Sequence, residues 1–153
     1  MSTGKVVTFS SLGMRARGTC GCADEDVQAL VRAALAARQR AYCPYSRFQV
    51  GAALLTTDGE TFDGCNVESA SYTPTICAER TAVVKAVSCG RRQFSSVAVV
   101  AHLEDSYVAP CGVCRQLLAE FGLDVAVYLA KVDLSSVLVT DLRALLPLSF
   151  GKY

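Results

Sequence analysis

Three cysteines, divided between Cys77-Ala-Glu79 and Pro110-Cys111-Gly-Val-Cys114, constrain this chain more than any other feature. Each half sits where the residue pattern predicts a helix to begin, so the fold must carry two helix starts to one point. Cys111 and Cys114 lie about one turn apart on the same helix face and can reach a single ion. Helix N-termini offer unpaired N–H groups and partial positive charge, which favour the thiolate that a metal ligand requires. Three sulfur donors describe a zinc centre with one position left open, the arrangement of a catalytic rather than a structural site. Glu79 is too close to Cys77 along the helix to be a comfortable fourth ligand. It is placed to move protons beside the open position, the plain alternative being a first-turn Glu favoured by the helix dipole.

A fourth cysteine would close such a centre. Cys89 lies roughly 18 Å further along the same helix at 1.5 Å per residue and cannot share the ion. Cys65 ends a strand, and the sequence alone does not exclude it. Cys43, Cys65 and Cys89 stand among apolar or small residues and read as buried free thiols. Arg80 and Arg115 each follow a motif residue directly; Arg80 is read as offsetting the negative charge of a three-thiolate cluster, while for Arg115 that role and a solvated helix charge both stand open. His102, the sole histidine, reads as a strand-end residue.

At 153 residues the chain suits one domain, read as 23–153, behind a leader over 1–22. Hydrophobic residues make up 52% and charged ones 19%, which implies either a very well filled core or apolar surface covered by partner subunits, and a homo-oligomer is the favoured reading. A net charge of +1 with scattered basic residues argues for a small substrate and against a nucleic-acid partner. No apolar run approaches a membrane span. The leader holds Lys5, Arg15 and Arg17 without an acid; it reads as a disordered extension, with an organelle transit peptide as the alternative. Eight cysteines without a signal peptide point to a reducing cytoplasm, and Cys20-Gly-Cys22 is a weak metal pair at most.

From Asp24, a plausible N-cap, apolar residues recur at helical spacing through Val27, Leu30, Val31, Ala34 and Leu35, and Pro44 stops that helix soon after Tyr42. A hairpin follows, with strands over 48–56 and 60–67 about Thr57-Asp58-Gly59. Further helices are predicted over 77–88, 111–121 and 141–146, and strands over 97–101, 125–129 and 137–139. Helices alternating with strands after an initial hairpin argue for a layered α/β domain on a mixed sheet.

Six segments in order, Tyr42-Cys-Pro-Tyr-Ser-Arg-Phe48, Val50-Gly-Ala-Ala-Leu54, Gly64-Cys-Asn-Val-Glu68, Ile76-Cys-Ala-Glu-Arg-Thr-Ala82, Pro110-Cys-Gly-Val-Cys-Arg-Gln116 and Leu145-Leu-Pro-Leu-Ser-Phe-Gly151, make the chain similar to the small homotetrameric cytidine deaminases that act on free nucleosides. The resemblance covers nearly all of 26–150. It implies a three-layer α-β-α sandwich with a mixed five-stranded sheet, one Zn²⁺ per subunit, and active sites shared between subunits of a homotetramer. The activity it implies is hydrolytic deamination of cytidine and 2′-deoxycytidine in pyrimidine salvage. By position, Cys77, Cys111 and Cys114 hold zinc, Glu79 carries protons and Arg80 hydrogen-bonds ligand sulfurs. Asn66 and Glu68 grip the ribose 3′-hydroxyl, Phe48 packs on the pyrimidine, and Phe150 from a neighbouring subunit caps it. Ala70 and Tyr72 match positions near the sugar of an adjoining site. Against these roles, Phe48 and Phe150 are also readable as packing aromatics, and Asn66 and Glu68 as strand-end polar residues. Rival readings are a blasticidin-type deaminase, which would be expected to lack the Asn66/Glu68 pair, a polynucleotide editor, and a structural zinc module closed by Cys65.

Overall fold

The computed structural model describes residues 4–11 and 24–151. Its centre is Phe94–Ala101, a strand whose eight residues are all buried. Val97-Ala-Val-Val-Ala supplies apolar side chains to both faces, as a central strand requires. The strand begins three residues before that run, because Ser95 Oγ donates to the Leu55 carbonyl at 3.2 Å and so enters the sheet satisfied.

In chain order the elements are β1 (Lys5–Val7), a 3-10 turn (Phe9–Ser11), α1 (Asp24–Arg38), β2 (Val50–Thr56), β3 (Thr61–Cys65), α2 (Ala78–Ser88), β4 (Phe94–Ala101), α3 (Gly112–Ala119), β5 (Ala126–Ala130), β6 (Val137–Asp141) and α4 (Leu142–Leu145). The sheet order is β1-β6-β5-β4-β2-β3. Only β4 and β5 run parallel, joined by the crossover that contains α3; the other pairs are antiparallel. One face packs its core with residues of α2, α3 and α4, including Ala82, Val83, Leu118 and Leu142. The other packs Val27, Leu30, Val31 and Ala34 of α1. The three-layer α-β-α sandwich and mixed sheet are as expected.

The strand number is not. The sheet has six strands, because Lys5-Val-Val pairs antiparallel with Val137–Val139 along the edge of β6. Part of the segment expected to be a disordered leader is therefore ordered. Phe9 follows it into the α1 core, where the Arg32 guanidinium lies 4.9 Å from its ring centre. Cys20 and Cys22 lie outside the described residues, as does the rest of the expected transit segment from 12 to 23.

One helix boundary also differs. The first helix ends at Arg38 rather than near Tyr42, as Gln39, Arg40 and Ala41 tighten into i→i−3 hydrogen bonds to Ala36, Ala37 and Arg38. The expected hairpin turn is present, with Gly59 at φ 91°. Of the two helices that carry the cysteine motifs, α2 lies against β3 and β2, and α3 packs beside α2 and α4 with Leu118 and Ala119 in the same core. Gly64 permits the first contact: a Cβ there would stand 2.5 Å from the Ala82 amide and 2.6 Å from the Ala78 carbonyl.

Candidate active site

Cys77 and Cys111 are the N-cap residues of α2 and α3, both with extended backbone. Neither side chain accepts a capping hydrogen bond, so both thiols are available to a ligand at the positive ends of their helices. Cys114 is buried on the first turn of α3. The Cys77 and Cys111 sulfurs stand 3.8 Å apart, those of Cys111 and Cys114 3.4 Å apart, and all three lie within 4.8 Å of one another. A tetrahedral ion with Zn–S bonds of about 2.3 Å sets its sulfurs about 3.8 Å apart, so the cluster has the right size for zinc. Cys77 is half-buried and Cys111 exposed, which opens the cluster on one side.

The charge state also suits a cation. A hydrogen bond from Cys114 pulls the Cys77 thiol down to about 5, against the upward push of burial and with help from the Arg80 guanidinium. Cys114 is pushed up by its hydrogen bond with Cys77, by burial and by the nearby Glu79 charge. Cys77 is thus a readier thiolate than Cys114. Among the described residues these sulfurs form the only such group of candidate metal ligands, and Cys65 is not in it. Cys65 instead donates to the Arg40 carbonyl at 3.4 Å. Cys43 and Cys65 are half-buried, while Cys89, expected in the core, is exposed as the C-cap of α2.

Glu79 is 4% exposed, on the buried side of α2 beside Cys77 and Cys114. Burial pushes its carboxyl above the usual range, and the Cys77 charge adds to that. Arg80 Nη2 donates to the Thr75 carbonyl at 3.0 Å and reaches the Cys77 sulfur at 3.7 Å. Arg115 is bonded to backbone carbonyls. Its Nε donates to the Pro110 carbonyl at 2.7 Å and its Nη1 to the Leu145 carbonyl at 2.8 Å, and among the described residues it makes no hydrogen bond to a sulfur.

The segment 66–68 is tied to the start of α2. Val67 and Ile76 exchange both backbone hydrogen bonds at 3.0 Å, which sets Asn66 and Glu68 beside the residue preceding Cys77. On its other side, Tyr42 donates to the Asn66 carbonyl and accepts from the Glu68 amide. The Asn66 side chain works as a clamp: Oδ1 accepts from the Val50 amide and Nδ2 donates to the Phe48 carbonyl, both at 2.8 Å. Each of these atoms keeps one further hydrogen-bonding position. Glu68 Oε2 accepts from the Tyr45 and Ser46 amides at 2.9 and 3.1 Å. Hydrogen bonds from Ser46 are the main reason its carboxyl stays below the usual range.

Phe48 is half-buried and follows Arg47, whose φ is 55°. Ala70 and Tyr72 are exposed, and the Tyr72 ring lies 6.3 Å from that of Tyr45. Phe150 is 76% exposed, with its carbonyl held by Gln116 Nε2 at 2.9 Å. Sequence reasoning missed the Asn66 clamp, the Thr75 support of Arg80 and the Gln116 tether. Each depends on a backbone carbonyl or amide whose position no motif encodes.

Residues 24–130 match the family model described as the cytidine and deoxycytidylate deaminase zinc-binding region. A cytidine deaminase of Sporosarcina psychrophila is 48% identical over 128 residues, covering 83% of this chain and 93% of that protein. A cytidine deaminase of Halalkalibacterium halodurans is 51% identical over 120 residues, covering 76% of this chain and 90% of the other. The crystal structure of cytidine deaminase from Burkholderia pseudomallei superposes with a TM-score of 0.75 at 49% identity, over 80% of this chain and 97% of that one. The matched span contains both cysteine motifs and the segment bridged to them, and on this ground the chain belongs to the cytidine and deoxycytidylate deaminase family.

Proposed function

We propose that this protein is a zinc-dependent hydrolase converting cytidine and 2′-deoxycytidine to uridine and 2′-deoxyuridine with release of ammonia. The observation that carries the reading is the buried Glu79 carboxyl beside three convergent sulfurs. Cys77, Cys111 and Cys114 would hold the zinc, whose chemical contribution when bound is to make a water acidic enough to act as hydroxide near neutral pH.

The chain's own residues supply the rest. Glu79 takes one proton from the attacking water and delivers it to ring N3, so that C4 becomes open to attack; it then takes the second proton from the hydroxyl newly bonded to C4 and passes it to the departing C4 amine. Water is consumed, the C4–N bond breaks, and a C4 carbonyl and ammonia result. A carboxyl raised by burial is suited to carrying protons in both directions. Arg80 offsets the charge of the sulfurs. Asn66, with one donor and one acceptor position to spare, and Glu68 hold the ribose 3′-hydroxyl. Phe48 packs against the pyrimidine, its backbone fixed by Asn66. Ala70 and Tyr72 serve the sugar of an adjoining site, and Phe150 of the partner subunit caps the base. No residue is assigned to the 2′-position, so ribose and deoxyribose are both accepted.

Residues 23–153 act as one catalytic domain in this reading, assembled as a homotetramer. Exposed Tyr42, Tyr45, Tyr72, Val113, Leu148 and Phe150 support an oligomer, being large apolar groups that a partner subunit would cover. Pyrimidine salvage in a reducing cytoplasm fits the free state of the described cysteines. No helix among the described residues is long and apolar enough to cross a membrane.

The test is to incubate zinc-loaded protein with cytidine and follow uridine and ammonia. Glu79→Gln should retain zinc and lose turnover by about 10²- to 10⁴-fold. Full turnover by that variant would remove Glu79 from the reaction.

A further inference from the structure

The C-terminal segment that carries Phe150 is not held only by its own helix. Beyond Leu145, the last residue of α4, the backbone enters the left-handed region at Leu148, with φ 54°. The Leu148 side chain is fully exposed, and the Phe150 ring projects from the surface. Two consecutive residues of α3 reach this segment. Arg115 Nη1 donates to the Leu145 carbonyl at 2.8 Å, at the root of the segment, and Gln116 Nε2 donates to the Phe150 carbonyl at 2.9 Å, near its tip. Arg115 also donates through Nε to the Pro110 carbonyl at 2.7 Å, one residue before Cys111. The planar guanidinium sets its Nε and Nη1 donors at fixed, separate positions, whereas a single ammonium nitrogen must reach both carbonyls from one point.

We propose that Arg115 and Gln116 are positioning residues, which fasten 145–150 to the cysteine-bearing helix so that Phe150 is presented at a set height to a nucleoside in the partner subunit. The proposal rests on the reading that Phe150 caps the base. Arg115 sets where the segment leaves α4 and registers that point against Pro110. Gln116 sets where the backbone beneath the Phe150 ring lies. Because Gln116 grips the carbonyl and not the ring, the aromatic face stays open to a partner. Neither residue touches a reacting atom, so their loss should weaken capture of the substrate more than its conversion.

The experiment uses the full zinc-loaded chain with cytidine, and compares Gln116→Leu, Arg115→Lys, Phe150→Ala and the double variant Gln116→Leu/Phe150→Ala. KM, kcat, zinc content and amide hydrogen exchange over 146–151 are measured for each. A single hydrogen bond of ordinary strength predicts a KM about 2- to 10-fold higher in Gln116→Leu, with kcat changed by less than about twofold. Amides of 146–151 should exchange faster in Gln116→Leu and in Arg115→Lys, with zinc content unchanged. The double variant should be no worse than Phe150→Ala alone, since one residue acts through the other. Raised KM in Phe150→Ala, together with parental KM and parental exchange in Gln116→Leu, would overturn the positioning role while leaving the cap intact. Parental KM in Phe150→Ala would instead remove the cap, and the purpose assigned to the two tethers with it.

Discussion

The Arg80 guanidinium is fixed to the Thr75 carbonyl, and through that support the same nitrogen reaches the Cys77 sulfur at 3.7 Å. A cation held this way stabilises negative charge on sulfur without competing for a ligand position. Arg80→Gln keeps a polar side chain but removes the charge, so it should lower zinc affinity by about 10- to 100-fold, as loss of a partner that orients a ligand commonly does. Competition with a chromogenic chelator measures this without reference to turnover.

Cys65 was the one cysteine able, on sequence grounds, to close the centre and make it structural. Its thiol donates to the Arg40 carbonyl instead and stands outside the three-sulfur group. Cys65→Ser should therefore bind one zinc per subunit with parental affinity, by metal analysis of the purified protein. Release of the metal by this substitution would restore the structural-zinc reading.

Gly64 is where α2 presses on β3. An added methyl would meet the Ala82 amide and the Ala78 carbonyl, both backbone, and neither can step aside without moving the helix. Gly64→Ala should cost about 1–3 kcal/mol in urea unfolding, in the range of overpacked cores. It should also weaken zinc binding, because the displaced helix begins at Cys77.

Asp63 on β3 receives hydrogen bonds from Lys85 of α2, at 2.7 Å, and from Arg40. Burial pushes its carboxyl up, but the two cations outweigh that and hold it below the usual range. A carboxyl depressed in the folded state stabilises above its unfolded value, near 3.9, and loses that contribution as pH falls through the folded value. The parent should exceed Asp63→Asn by about 1 kcal/mol or less near neutral pH, since the cations are half exposed. The difference should shrink below about pH 4, in melting curves taken from pH 7 to pH 3.

How far the molecule can be read in advance depends on how local each feature is. The three sulfurs, Glu79 and Arg80 lie in two short motifs at helix starts, where sequence spacing fixes direction, and the fold brings all five together. Val97–Ala101 declares itself as a central strand by having no polar face. The sequence left Arg115 open between two roles because its neighbour Cys114 gave the sole clue, whereas its partners are carbonyls at 110 and 145. Lys5-Val-Val is too short to show a period; its identity as a strand comes wholly from the exposed edge of β6. Cys89 has an apolar neighbourhood in sequence, yet it caps a helix end, where the chain turns outward through Gly90 at φ 83°.

The pairing of Lys5–Val7 with Val137–Val139 has a consequence for the order in which the molecule is built. During synthesis, all three sulfurs and the helices that bear them exist once the chain has passed Ala119, before β5, β6 or the tail has been made. The earliest strand of the sheet must wait for the latest, with nearly the whole domain between them. Until β6 has been made, Lys5–Val7 has no strand to pair with, so docking of that segment falls late in the building of the sheet.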